Sequence, residues 1–223
     1  MRSRGWAIHS PRVTPNGIPT GAMPTVLIPV KGFRLAKGRL ADRLDEAERS
    51  ELARTMASQV VKAAGSLPTK IVCNNDEVAD WARAVGAEVL WIDADGLNPA
   101  ITAAVATLEA VPDPSEGTAV SSHVVIAHAD LPHAETLDGL AEAGTVTIVP
   151  DRHLDGTNVM ALPLGAGFEF HYGPGSFEAH CAEALRCGLD LRVRRVTALE
   201  FDIDTPDDLD AAGLDTRAAD DAR

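Results

Sequence analysis

The feature that most limits what this chain can become is a short apolar run, Thr25-Val-Leu-Ile-Pro-Val30, which stops abruptly at Lys31. A continuous apolar run bounded by a glycine, here Gly32, is the pattern of a strand buried on both faces of a parallel sheet. Such a strand needs parallel neighbours and covering helices, so it commits the chain to an α/β architecture. It hands over to Lys31-Gly-Phe-Arg-Leu-Ala-Lys-Gly-Arg39, four cations within nine residues. Ligands of open α/β sheets bind just beyond the carboxyl ends of the strands. In a chain of net charge -13, a cation cluster at that place predicts a pocket for a polyanion. The alternative is a loop of solvated Lys and Arg, their usual situation.

Downstream, Asp45 to Ala64 reads as a helix, with Leu52, Met56 and Val60 at i+4 spacing and Asp45 and Glu48 as a capping box. Thr69 to Cys73 is a second strand, ended by the turn-forming Asn74-Asn75-Asp76. A short helix from Val78 to Val85 and a third strand from Ala87 to Ile92 follow. Asn98 as N-cap and Pro99 in the first turn predict a helix to about Val111. Pro112 to Ser122 reads as a loop, His123 to Ala127 as a fourth strand, Glu135 to Ala143 as a helix and Thr145 to Val149 as a fifth strand. This alternation predicts right-handed crossovers and a mostly parallel sheet with helices on both faces.

The second part is less regular. Asp151 to Thr157 is a polar loop, Asn158 to Leu162 a strand, and Gly165 to Gly175 a glycine-rich connection. Ser176 is expected to cap a helix reaching Arg186, with a strand over Leu189–Val196 and an extended piece over Glu200–Asp204. Thr205-Pro206 opens a last short helix. One domain over residues 24–212 is expected, with a disordered extension before it (1–23) and an acidic tail after it (213–223). Met23, just before the first strand, is a candidate start.

The acidic balance argues against nucleic acid and anionic membranes, both of which select basic surfaces. Three cysteines without a C-x-x-C argue against a disulfide framework and a zinc ribbon, pointing to the cytoplasm. No apolar run approaches the roughly 18 residues of a membrane span. Phosphate-binding G-x-x-x-x-G-K-[ST], dinucleotide-binding G-x-G-x-x-G after the first strand and hydrolase G-x-S-x-G are all absent. Chemistry must then rest on cations, metal and positioning, as nucleotidyl transfer does.

Asp130 follows a buried strand directly and reads equally as a helix N-cap or as a site acid. Asp202 and Asp204, two apart in an extended piece, face the same way, and like charges on one face call for a cation between them. Oxygen ligands and phosphate chemistry favour Mg²⁺ there over a surface turn. The loop Val149 to Asn158, with Gly156, Thr157 and Asn158, suits a phosphate or carboxylate. So does Tyr172-Gly-Pro-Gly-Ser176 at a helix start, flanked by His171 and His180, for which a structural role is the simpler reading.

Six blocks occur in order: Pro29-Val-Lys-x-Phe-x-x-Ala-Lys-x-Arg-Leu40, Leu97-Asn-x-Ala-Ile101, Asp130-Leu-Pro132, Asp151-Arg-x-x-x-Gly-Thr-Asn158, Phe170-x-x-Gly-Pro-Gly-Ser-Phe-x-x-His180 and Asp202-Ile-Asp-Thr-Pro206. Together they resemble the CofC/FbiD guanylyltransferases of coenzyme F420 biosynthesis. The resemblance implies a Rossmann-like fold of the nucleotide-diphospho-sugar transferase type, with GTP and Mg²⁺. The implied acceptor is a phosphorylated three-carbon acid: 2-phospho-L-lactate, phosphoenolpyruvate or 3-phospho-D-glycerate. It further implies that Lys31, Lys37 and Arg39 hold the triphosphate and that Asn98 lies near the nucleoside. Asp130, Asp202 and Asp204 would ligate Mg²⁺, and Thr157, Gly173 and Ser176 would bind the acceptor. A downstream F420 transferase would consume the unstable product. Gly32, Gly38 and His128 depart from the family pattern. The competing readings are a nucleotidyltransferase making a molybdenum-cofactor dinucleotide or a nucleotide sugar, and a non-catalytic nucleotide-binding domain.

Overall fold

Apolar runs too short for helices and capped amphipathic segments alternate along the first half, and each becomes the expected element. The computed structural model describes residues 23–110 and 122–213. In the first half these are β1 (Thr25–Pro29), α1 (Glu46–Ala63), β2 (Thr69–Cys73), α2 (Asp76–Ala84), β3 (Glu88–Trp91), α3 (Leu97–Glu109) and β4 (His123–Ala127). The second half adds β5 (Thr145–Pro150), β6 (Thr157–Pro163), α4 (Ser176–Arg186), β7 (Asp190–Val193), α5 (Thr197–Glu200) and α6 (Pro206–Ala211). The expected capping box opens α1: Glu48 N–H donates to the Asp45 carboxylate while the Glu48 side chain accepts from Asp45 N–H.

The strands form one sheet in the order β3-β2-β1-β4-β6-β5-β7. β1 pairs parallel with both β2 and β4, whereas β6 runs antiparallel between β4 and β5. Alternate side chains of β1 serve opposite layers. Val26 and Ile28 pack with α1 and α2, and Leu27 packs with Ile101, Ala104 and Val105 of α3. Strand order reverses between β1 and β4, and that switch point opens a crevice at the carboxyl edge.

Several expectations need correction. Residues 135–143 form no helix. Thr136 Oγ1 accepts from Asp138 N–H, the Asp138 carboxylate accepts from Gly139 N–H, and Gly139 has φ 70, so local side-chain bonds displace the helical ones. The segment still buries Leu137, Leu140 and Ala141 against the face that carries α1. Asn98 is not an N-cap: α3 begins one residue earlier, after Gly96, and Ser176 is the first residue of α4 rather than its cap. The strand expected to reach Val196 ends at Val193, and Glu200 closes the helical turn α5 instead of extending. The proposed extension before Met23, most of the 112–122 loop and the tail from 214 lie outside the described residues. No helix among the described residues is long and apolar enough to cross a membrane.

Candidate active site

The crevice holds a cavity of about 640 Å³ whose walls include Lys31, Lys37, Asn75, Asp95, His128 and Asp130. These residues sit just past the carboxyl ends of β1, β2, β3 and β4, where parallel strands deliver polar side chains without burying them in the core. Gly32 is a close fit, since a Cβ there would stand 3.1 Å from the Asn75 amide. Phe33 buries its ring edge-on against Trp81 at 5.3 Å and so anchors the cation loop from below.

Lys37 lies at the centre of the site. Its backbone is left-handed (φ 55), and its Nζ donates to Asp130 at 2.6 Å and to Asp204 at 2.9 Å. Burial opposes its charge, but the two carboxylates outweigh burial and hold its pKa above the ordinary lysine value. Burial likewise works to raise the Asp130 pKa, yet Lys37 and then His128 keep it below the usual range. Arg39 is mostly exposed, 4.0 Å from Asp204, and Lys31 stands exposed at the cavity mouth.

Asp130, Asp202 and Asp204 converge, as the family resemblance implied: one carboxylate oxygen from each lies within 4.8 Å of the others. Their spacing is fixed by the chain beneath. Ile203 N–H donates to the Asp130 carbonyl, and the fully buried Ile203 side chain shares an apolar cluster with Leu40, Leu44, Met56 and Leu209. The Asp208 carboxylate accepts from the backbone N–H groups of Asp204 and Thr205, which holds the acid loop at its far end. Burial first, then the charges of Asp130 and Asp204, push the Asp202 carboxyl up to about 6. Asp130 Oδ1 is buried with no hydrogen-bond partner among the described residues. Three oxygen donors, an excess of like charge and an orphaned carboxylate oxygen fit a hard divalent cation.

The second polar group lies around the start of β6. Asp151 accepts backbone N–H bonds from His153, Asp155 and Gly156, and a Cβ at Gly156 would stand 2.8 Å from that carboxylate, so a side chain there would have to displace it. Arg152 pairs with Asp208 and stacks on the Phe201 ring at 4.6 Å, tying this loop to the acid loop. Thr157 is buried and bonded to His180, and Asn158 donates to the Leu199 carbonyl and reaches Asp202 at 3.4 Å. Gly173 takes φ 136, which side-chain-bearing residues rarely adopt, and its carbonyl accepts from Ser176 N–H. Asn98 is not among the residues lining the cavity, and both ends of its amide bond the backbone of Tyr172. It joins α3 to the glycine turn.

Sequence reasoning missed Asp208, Arg152 and the bridging of Asn98. Only Asp208 left a readable trace, as the fourth position of a Thr205-x-x-Asp208 capping box.

The match to known proteins is extensive. A family model described as "Guanylyl transferase CofC like" matches residues 24–218. The chain belongs to the CofC family. A phosphoenolpyruvate guanylyltransferase of Roseiflexus castenholzii is 36% identical over 186 residues, covering 82% of this chain and 84% of that one. A 2-phospho-L-lactate guanylyltransferase of Methanocaldococcus jannaschii is 30% identical over 190 residues, covering 82% and 80%. Among solved structures, a protein assigned as a nucleotide-diphospho-sugar transferase from Desulfovibrio desulfuricans G20 aligns with TM-score 0.64 at 13% identity, covering 89% of this chain and 90% of that one. A 4-diphosphocytidyl-2C-methyl-D-erythritol synthase from Anaerococcus prevotii aligns with TM-score 0.54 at 13% identity, covering 86% and 97%. At such identities these two speak for the fold, which is the nucleotidyltransferase type of α/β sheet.

Proposed function

We propose that this member of the CofC family transfers GMP from GTP to a phosphorylated three-carbon acid in F420 biosynthesis, with phosphoenolpyruvate as the acceptor. The observation that carries the reading is that Lys37 meets Asp130 and Asp204, with Asp202 in the same acid cluster, at the edge of a cavity also lined by Lys31. Family membership supports guanylyl transfer, and the name of the Roseiflexus castenholzii relative supports phosphoenolpyruvate.

In this reading the triphosphate lies along Lys31, Lys37 and Arg39, the acceptor against Thr157, Gly173 and Ser176, and the nucleoside in the cavity. Asp130, Asp202 and Asp204 hold Mg²⁺. When bound, the ion supplies charge neutralisation between donor and acceptor phosphates. An oxygen of the acceptor phosphate forms a bond to the α-phosphorus of GTP, and the bond from that phosphorus to the α,β-bridging oxygen breaks, releasing pyrophosphate. The attacking phosphate is already anionic at neutral pH, so no proton has to be removed and no general base is required. The residues contribute alignment and charge, the two contributions that dominate phosphoryl and nucleotidyl transfer.

Pyrophosphate release from GTP and Mg²⁺ with each of the three phospho-acids in turn tests the reading. Release with phosphoenolpyruvate is expected. No release with any acid, even when the downstream transferase and its flavin acceptor are added to drain the product, overturns it.

A further inference from the structure

His180 lies on α4, four residues after Ser176, with no exposed surface. Its Nε2 is 2.9 Å from the backbone nitrogen of His171. A backbone N–H only donates, so Nε2 must be an unprotonated acceptor. The opposite ring nitrogen, Nδ1, is 3.0 Å from Thr157 Oγ1. Burial first, then the neighbouring charges of His171 and His128, push the His180 pKa down to about 4, so the ring is neutral at physiological pH. A neutral ring with a bare Nε2 carries its one proton on Nδ1, and that N–H donates to Thr157.

The direction of this bond decides what the threonine can do. Its hydroxyl accepts from His180 and keeps its own hydrogen for another partner, and no second protein partner for it is found among the described residues. Tyr172, edge-on at 4.8 Å, and Phe168, at 5.9 Å, hold the ring so that it cannot turn and reverse the bond. On the next residue, the Asn158 amide points to Asp202.

We infer that His180 is a positioning residue that fixes the Thr157 hydroxyl as a one-way donor to an oxyanion of the phosphorylated acid. The inference rests on the guanylyltransferase reading and gives a task to a histidine for which the sequence pointed only to structure.

Steady-state kinetics of His180→Ala, Thr157→Val and the double variant test it. Each single variant should raise the KM for phosphoenolpyruvate at least tenfold and leave the KM for GTP within twofold. The double variant should be no worse than Thr157→Val alone, because the histidine acts through the threonine. His180→Asn, whose amide can donate to Thr157, should recover part of the loss. An unchanged acid KM, or both KM values rising together with a fall in Tm, overturns the inference. Should His180→Ala fail to fold, nitrogen-15 NMR of the wild-type chain decides independently: a proton on Nδ1 is expected, and a proton on Nε2 overturns it. Wild-type turnover separates the two failures. If the wild type releases no pyrophosphate, the transferase reading falls; the variants are then compared by phosphoenolpyruvate calorimetry, where equal Kd values for wild type and His180→Ala dismiss the histidine's role.

Discussion

The two halves of the sheet are built on different principles. From β1 to β4 the chain alternates strand and helix, and its geometry is set by apolar faces packing on parallel strands. From β5 onward one strand reverses direction and the crossover after β4 has no helix. There the loops are held by side chains bonding to backbone: Asp151 to three N–H groups, Asp208 to Asp204 and Thr205, Asn98 to Tyr172. The first half offers a cavity walled by strand ends; the second supplies a hydrogen-bonded rim. Hydrocarbon packing tolerates approximate shape, whereas bonded loops fix atoms to tenths of an ångström. The division suits a site that must enclose one ligand and orient another.

Substitutions that act on one half alone should break or sharpen this contrast. The largest effect is expected where the halves meet: Asp202→Asn should lower the rate of pyrophosphate release by about a thousandfold, the scale for losing one preorganised charge. Its circular dichroism spectrum should match the wild type, and near-normal turnover would dismiss the metal assignment. Next is Leu40→Ala, which empties a fully buried position and should cost about 2–4 kcal/mol in denaturant unfolding. Asp151→Ala removes an acceptor of three backbone bonds and should cost less, about 1–2 kcal/mol. Hydrogen exchange should then quicken over residues 151–157 while β1 and β2 stay protected; uniform acceleration would show that the two halves are not separate in their means of support.

The smallest effect concerns pH. An acid whose folded pKa is raised stabilises the fold below its ordinary range and loses that contribution as pH rises through the folded value, here about 6. Without added metal, Asp202→Asn should therefore be more stable than the wild type at pH 7.5, by roughly 1 kcal/mol after allowing for solvent screening. The advantage should shrink as pH falls through about 6 and vanish below about pH 3, where wild-type Asp202 is protonated in both the folded and unfolded states. Melting curves across this window check it, and a difference that does not change with pH removes the like-charge account of the carboxylate cluster.

Legibility in the sequence follows the same division. β2 and β4 lie where period and composition place them, and so does the Asp45 cap, because those signals are local. That Asp202 and Asp204 face the same way was readable from i, i+2 alternation, whereas their meeting with Asp130, more than seventy residues back, came only from the family resemblance. The 135–143 segment misled, since its leucines bury at helical spacing on a backbone turned by Thr136, Asp138 and Gly139. Asn98 looked like a cap because Pro99 follows it, and nothing local reveals a partner 74 residues away. The sequence places His180 beside the glycine turn but reveals neither its bond to Thr157 nor that bond's direction, which depends on a backbone N–H nine residues back along the chain.

Leu40 and Ile203 meet in one small apolar cluster, and each is the immediate chain neighbour of charged residues on opposite sides of the chemistry. Arg39 precedes Leu40, while Asp202 and Asp204 flank Ile203. Two uncharged side chains therefore act as a spacer gauge for the site: the separation of its positive and negative walls is set by hydrocarbon volume. A methyl group added or removed there would reset that clearance without altering a single charge.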